Sequence, residues 1–181
     1  MQRDLFLEGM SHAAATVNIV TTDGPAGRAG VTVSAMCSVT ADAPTLLVCV
    51  HHKSPACQAI QRNGVFCVNV LRDDQALISD TFAGRLKTPG GDKFECADWC
   101  ALTTGAPALS RPQVAFDCRL AQHVRRGSHV IFIGEVADTV VNGTGSALIY
   151  ANRAYGSPAR LAHPGAPSGE GFGAPSEARA A

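Results

Sequence analysis

Lys53, Ser54 and their neighbours form the stretch of this chain best suited to hold an anion. An apolar run, Thr45 to Val50, leads into His51-His52-Lys53-Ser54-Pro55 and then Ala56 to Arg62, so a strand passes through a tight loop into a helix. Serine followed by proline is the pattern of an N-cap and a first helical residue, and Asn63-Gly64 supplies the stop. A helix start carries unpaired backbone N–H groups and the positive end of its dipole. With a hydroxyl at Ser54 and an ammonium at Lys53, this is a cradle for a monophosphate. Capping statistics favour the plainer alternative, in which Ser54 only caps the helix and Lys53 is solvated.

A second cluster is the run Thr32-Val33-Ser34-Ala35-Met36-Cys37-Ser38-Val39-Thr40. Its small residues let the backbone approach a flat ligand, and its hydroxyls can bond a polyol or a ring edge; an edge strand with a solvated face explains it as well. His129 follows Gly127 and Ser128 at a strand start, where a barrel rim would place it near a ligand mouth. A lone histidine there is more often surface decoration, and no Ser-His-Asp order or nucleophile elbow supports acyl transfer. A metal site is disfavoured: His51 and His52 point opposite ways on an extended segment, and Cys96 with Cys100 lacks a nearby histidine. No phosphate-loop motif is present, and Gly143-Thr144-Gly145 lies between strands, where a dinucleotide fingerprint would have no helix to use.

The elements that would position these residues are mostly strands. A short helix fits Asp4 to Ala13, with Leu5, Phe6 and Met10 apolar. Val17 to Thr22 and Ala29 to Ser34 read as a hairpin around Asp23-Gly24-Pro25-Ala26-Gly27, and Thr45 to Val50 as a strand covered on both faces. Val65 to Leu71 is another strand. Asp73 or Asp74 would cap a helix through Ala83, with Leu77, Ile78, Thr81 and Phe82 on one face and Gly84 as the stop. The segment from Arg85 to Arg111 reads as irregular. Val114, Phe116, Cys118, Leu120 and Val124 alternate with residues including Asp117, Arg119 and His123, the pattern of a half-buried antiparallel strand. Arg126-Gly127 would turn it into Val130 to Val141, and Asn142-Gly143 would turn that into Ala147 to Tyr150. Six or seven antiparallel strands without strand-helix-strand repeats predict a closed or partly closed β-barrel.

The 181 residues carry fifteen basic and fifteen acidic side chains, so nothing in the overall charge favours nucleic acid or an anionic membrane as partner. Only Lys53, Lys87 and Lys93 are lysines. Seven cysteines without zinc-knuckle spacing suit a reducing compartment, and the N-terminus shows neither a secretory signal nor a membrane span, so the expected location is cytoplasmic. Ser157 to Ala181 holds seven Ala, four Gly and four Pro and is expected to be a disordered tail behind a folded domain of residues 1–156. An apolar excess of this kind often serves an oligomer interface.

Several spaced motifs resemble the flavin reductase family: Ala15 to Gly27, Gly30 to Val39, Phe82-Ala83-Gly84, Phe116-Asp117-Cys118, and Gly127-Ser128-His129 leading to Gly134-Glu135-Val136. More narrowly, they are similar to the small NAD(P)H:flavin oxidoreductases that supply reduced FMN or FAD to separate monooxygenases acting on aromatic compounds. The resemblance spans about Asp4 to Tyr155. It implies a mainly β, antiparallel Greek-key FMN-binding split β-barrel with a few short helices, assembled as a homodimer. It implies that the flavin lies against Thr32, Val33, Ser34, Ala35, Cys37 and Ser38, with its phosphate at Lys53, Ser54 and Ala56, and this makes the cradle the preferred reading of that loop.

Phe82, Ala83 and Gly84 would close over the flavin, with Lys87 and Lys93 flanking it. His129, Arg153 and Tyr155 would help place NADH or NADPH or meet the partner subunit. Hydride would pass from nicotinamide C4 to flavin N5, chemistry that the cofactors supply and that needs no catalytic triad or carboxylate pair. The chain departs from the family at His51-His52-Lys53, where asparagine and arginine are common. It departs again at Gly91-Asp92-Lys93-Phe94, where an acidic pair and an arginine are common, and at Ala43-Pro44, where Pro-Pro is common. Rival expectations are an FMN-holding electron carrier without NAD(P)H turnover, and a reductase or oxidase acting on another substrate, such as a cobalamin, a ferric complex or a pyridoxine.

Overall fold

The computed structural model describes residues 2–159. Most of the 157–181 tail expected to be disordered lies outside them; Ser157, Pro158 and Ala159 are exposed and belong to no regular element. Among the described residues three helices, α1 (Gln2–His12), α2 (Pro55–Asn63) and α3 (Ala76–Phe82), accompany twelve strands. Strands β2 (Asn18–Thr22), β3 (Ala29–Val33), β4 (Met36–Thr40), β5 (Thr45–His51), β6 (Val65–Val70), β9 (Val114–Arg126) and β10 (His129–Val141) make one antiparallel sheet in the order β3-β2-β6-β9-β10-β5-β4. Its two ends are consecutive in the chain, joined through Ser34-Ala35, and Cys49 N–H donates to the Ala35 carbonyl at 3.1 Å. The barrel is therefore split at β3 and β4, the segment expected to meet the ligand.

The sheet curls around a core that includes Val20, Val48, Val50, Phe66, Val68 and Phe132, and Cys57 and Ile60 of α2 pack into the same cluster. Burying side chains of this size stabilises the fold by roughly 1.5–3 kcal/mol each before the entropy cost of ordering them. Gly64 ends α2 in the left-handed conformation, φ +70°, and donates to the Ile60 carbonyl, as Asn63-Gly64 predicted.

Several elements differ from expectation. β5 is not covered on both faces: Leu46, Val48 and Val50 are buried, whereas Leu47 and Cys49 are half-buried and His51 is exposed. Neither Asp73 nor Asp74 caps α3. Gln75 holds that position, and Asp74 pairs instead with Arg72 at 2.6 Å. Leu77 points to solvent while Ser79, Thr81 and Phe82 are buried.

The segment between Arg85 and Arg111 contains a 3-10 turn, Lys93–Cys96, and a hairpin of β7 (Trp99–Ala101) and β8 (Pro107–Leu109). That hairpin region covers Asp117, which the alternation placed in solvent: Asp117 is fully buried and accepts from Thr104 N and Oγ1. Asn142-Gly143 does not make a hairpin. The chain leaves the main sheet there, and β11 (Ile149–Ala151) joins a small sheet between β1 (Ala15–Thr16) and β12 (Ala154–Gly156). Among the described residues no helix is long and apolar enough to cross a membrane.

Candidate functional site

Three clefts open along β3 and the residues on either side of it. The first, about 240 Å³, lies between Arg28–Gly30, Ser54-Pro55 and Gly91–Phe94. The second, about 220 Å³, is walled by residues 31–35, with Cys49, His51 and His129 opposite. The third, about 190 Å³, is bounded by Val17, residues 32–34, Ser79, Ala83, Arg85, Tyr150 and Tyr155. One short segment, Arg28 to Ala35, thus borders a basic groove, a rim with two imidazoles and an aromatic niche.

The first cleft is built by packing. Phe82, Phe94 and Trp99 stack edge to face with centroids 5.1–5.5 Å apart, and the Phe82 ring presses against Gly30. A Cβ at Gly30 would sit 2.5 Å from that ring, so only glycine allows β3 to lie this close to α3. Arg28, at the end of the β2–β3 turn, crosses the mouth: its guanidinium lies 4.4 Å above the Phe94 ring and meets Asp92 at 2.5 Å. Lys93 Nζ donates to the Phe82 carbonyl at 2.9 Å. Ser54 stands at the α2 N-cap with extended backbone, yet its side chain makes no capping bond. A serine that does not cap has its hydroxyl available to a ligand.

At the second cleft, His51 and His129 are directly paired across β5 and β10, their rings edge to face at 5.2 Å. His51 Nδ1 accepts from Lys53 N–H at 3.2 Å, and His129 Nδ1 lies 3.0 Å from Ser128 Oγ. Burial holds the His52 imidazole below its ordinary range, helped by the positive charge of Arg125 and by His51, Lys53 and His129. In the third cleft the Tyr155 hydroxyl lies 2.8 Å from Asp80 Oδ1 and 2.9 Å from Ser79 Oγ, and burial raises its pKa. The Thr32 hydroxyl is committed to the Ser79 carbonyl at 2.7 Å and fastens β3 to α3.

Of the residues expected at the site, Thr32, Val33, Ser34, Ala35, Ser54, Ala83, Lys93, His129 and Tyr155 line these clefts. The others do not line any of the three. Cys37 and Ser38 lie on the exposed edge strand β4; Lys53 and Lys87 are exposed; Gly84 is exposed at the end of α3. The Ala56 side chain is buried in the face that α2 turns to the core, and Phe82 is 1% exposed within its aromatic cluster. Arg153 sits at the β11–β12 turn and pairs with Glu8 of α1 at 3.0 Å. Arg28, His51, Ser79, Asp92 and Tyr150 were missed. Only Arg28 had a usable signal, two residues before Gly30 at the start of a strand. Among the described residues no group of three or more His, Cys, Asp or Glu could hold a metal ion.

The antiparallel split barrel with clefts along one strand sets the fold class, and comparison with known proteins sets the family. The chain belongs to the flavin reductase like domain family, whose model matches residues 10–159. It is 44% identical over 155 residues to the FMN reductase (NADH) RutF of Ancylobacter novellus, covering 86% of this chain and 84% of that protein. The flavin reductase PheA2 superposes with a TM-score of 0.80 at 29% identity, covering 88% of this chain and all of the other. BorF, the flavin reductase component of a bacterial two-component tryptophan halogenase, superposes with a TM-score of 0.77 at 28% identity over 88% of this chain and 100% of its own.

Proposed function

We propose that this NAD(P)H:flavin oxidoreductase uses NADH to reduce FMN and releases the reduced flavin to a separate flavin-dependent monooxygenase acting on an aromatic compound. The observation that carries the proposal is the succession of three clefts along Arg28–Ala35, which suits a ligand with an anionic end, a polyol and a flat ring. The NADH-dependent FMN reductase at 44% identity supports the cofactor pair, and BorF, as one component of a two-component halogenase, supports a separate enzyme as recipient of the reduced flavin.

The residues fit the cofactor by their chemistry. Ser54 Oγ, Arg28 and Lys93 would hold the phosphate beside the α2 N-terminus, and residues 31–35 would carry the ring on backbone too small to obstruct it. Bound together, FMN and NADH supply a two-electron hydride transfer. His129 and His51 would hold the nicotinamide end at the rim. Tyr155, its hydroxyl pKa raised by burial, would form one wall of the third cleft. No side chain is required to take a proton in the transfer itself, so the protein acts through stacking and positioning.

A second copy of the chain is proposed to cover the apolar face of α1, where Leu5, Phe6 and Met10 are 74%, 65% and 54% exposed, giving a cytoplasmic homodimer. The test is consumption of NADH by the purified full chain with excess FMN. Many turnovers per protein are expected; a single stoichiometric turnover would identify an FMN carrier instead, and repetition with FAD, riboflavin and NADPH ranks the substrates. Light scattering should give twice the chain mass.

A further inference from the structure

We propose that Asp92 is a built-in competitor for the flavin phosphate: its carboxylate holds the Arg28 guanidinium that an incoming phosphate needs, and thereby keeps FMN affinity low enough for release. This rests on the phosphate lying in the Ser54 cleft. Asp92 Oδ2 takes the guanidinium through a single Arg28 nitrogen, and both side chains are 45% exposed. An ion pair so open to water is weak, and Arg28 can change partner without disturbing the core. A phosphate monoester, with nearly two negative charges and three acceptor oxygens, accepts a guanidinium through two bonds and would win it from a singly bonded carboxylate.

Asp92 cannot withdraw once displaced. Its Oδ1 accepts from Phe94 N–H at 3.0 Å, the cap of the 3-10 turn Lys93–Cys96, so the carboxylate stays in the cleft wall beside the phosphate and repels it. The charged side chains lining the cleft are Arg28, Lys93 and Asp92, and Lys93 Nζ is anchored on the Phe82 carbonyl. Asparagine caps about as well as aspartate, so Asp92→Asn keeps the turn and removes both the competitor and the repulsion. A residue with only a structural role would weaken binding when changed; this one should strengthen it.

The test is titration of FMN and of riboflavin, which lacks the phosphate, into the full-length wild type and the Asp92→Asn, Ser54→Ala and Arg28→Gln variants. Asp92→Asn is expected to bind FMN about five- to tenfold more tightly, with riboflavin unchanged and FMN dissociation slowed in stopped flow. Asp92→Ser, another uncharged cap, should shift in the same direction and serves if the asparagine variant does not fold. FMN affinity unchanged or reduced in a folded, uncharged variant overturns the proposal. If Ser54→Ala and Arg28→Gln narrow the gap between FMN and riboflavin while Asp92→Asn does not widen it, the cradle stands and the role of Asp92 falls. A wild type that binds the two flavins equally removes the cradle and this proposal with it.

Discussion

Two regions of the main sheet, the part that β7 and β8 cover and the cleft edge along β3, treat their polar groups in opposite ways. Behind β6, where β7 and β8 cover the sheet, the polar side chains are committed to one another. Asn69 donates to the Ile19 carbonyl and to Thr21 Oγ1 and accepts from Leu109 N–H at 2.6 Å, while Thr21 donates to the Pro107 carbonyl and Asp117 takes two bonds from Thr104. Asn69, Thr21 and Asp117 are fully buried. Along β3 the situation reverses: Ser54 occupies a cap position without capping, and Ser34 and His129 are exposed in the clefts. A buried polar group left unpaired costs about 1–3 kcal/mol, so the back of the sheet must be complete for the protein to fold. A cleft open to water can leave groups uncommitted until a ligand takes them.

The sharpest way to break this contrast is at the back of the sheet. Asn69→Ala should cost about 3 kcal/mol in urea unfolding, because it removes several bonds at once and strands the Leu109 N–H. FMN affinity of the protein that remains folded should be unchanged. The complementary change is Arg28→Gln with Ser54→Ala, both in the cleft wall, which should weaken FMN by at least tenfold, about 1.4 kcal/mol, with little loss of stability. If Ser54 were an ordinary cap, its loss alone would cost about 1 kcal/mol of stability. A drop in melting temperature with normal flavin titration would therefore reverse the roles of the two regions at this residue.

What could be read from the sequence divides along the same line. Helix α2 and its two ends were legible because Ser54-Pro55 and Asn63-Gly64 are local signals, and the β2–β3 hairpin because its turn residues are contiguous. Asp117 was misplaced since alternation reports only the strand's own pleat, and the β7–β8 hairpin that buries it comes from a segment too broken by Pro89, Gly90, Gly91 and Gly105 to show a period. Phe82 was expected over the flavin, yet two aromatic partners, Phe94 and Trp99, hold it in the core. Neither contact is visible as spacing. Arg28 and Asp92 meet across 64 positions of chain, and only the fold brings them to one cleft.

Within the clefts, His129 sharpens the comparison further. His129→Ala is expected to raise the apparent KM for NADH several-fold and leave FMN affinity and stability nearly unchanged, since the exposed ring is bonded only to its neighbour Ser128 and packed edge-on to His51. Steady-state kinetics at saturating FMN would check this. An unaltered KM with normal turnover would remove His129 from the site and leave the rim's role to His51 alone.

The smallest effect belongs to His52, beside the same rim. Its charged form is disfavoured in the fold by burial first and then by Arg125, His51, Lys53 and His129, so its folded pKa lies below 6.5. The unfolded chain therefore binds this proton at higher pH than the folded one, and stability present above pH 6.5 is lost as pH falls toward the folded pKa. Melting temperatures of the wild type and His52→Gln should coincide in their pH dependence above that value and diverge below it, the wild type falling faster. Added salt should shrink the divergence, because the charges of Arg125 and Lys53 act through solvent at this exposed edge. Parallel curves down to pH 5 would mean that the rim, like the back of the sheet, has its charges already balanced, and the contrast between the two regions would then rest on the Ser54 cleft alone.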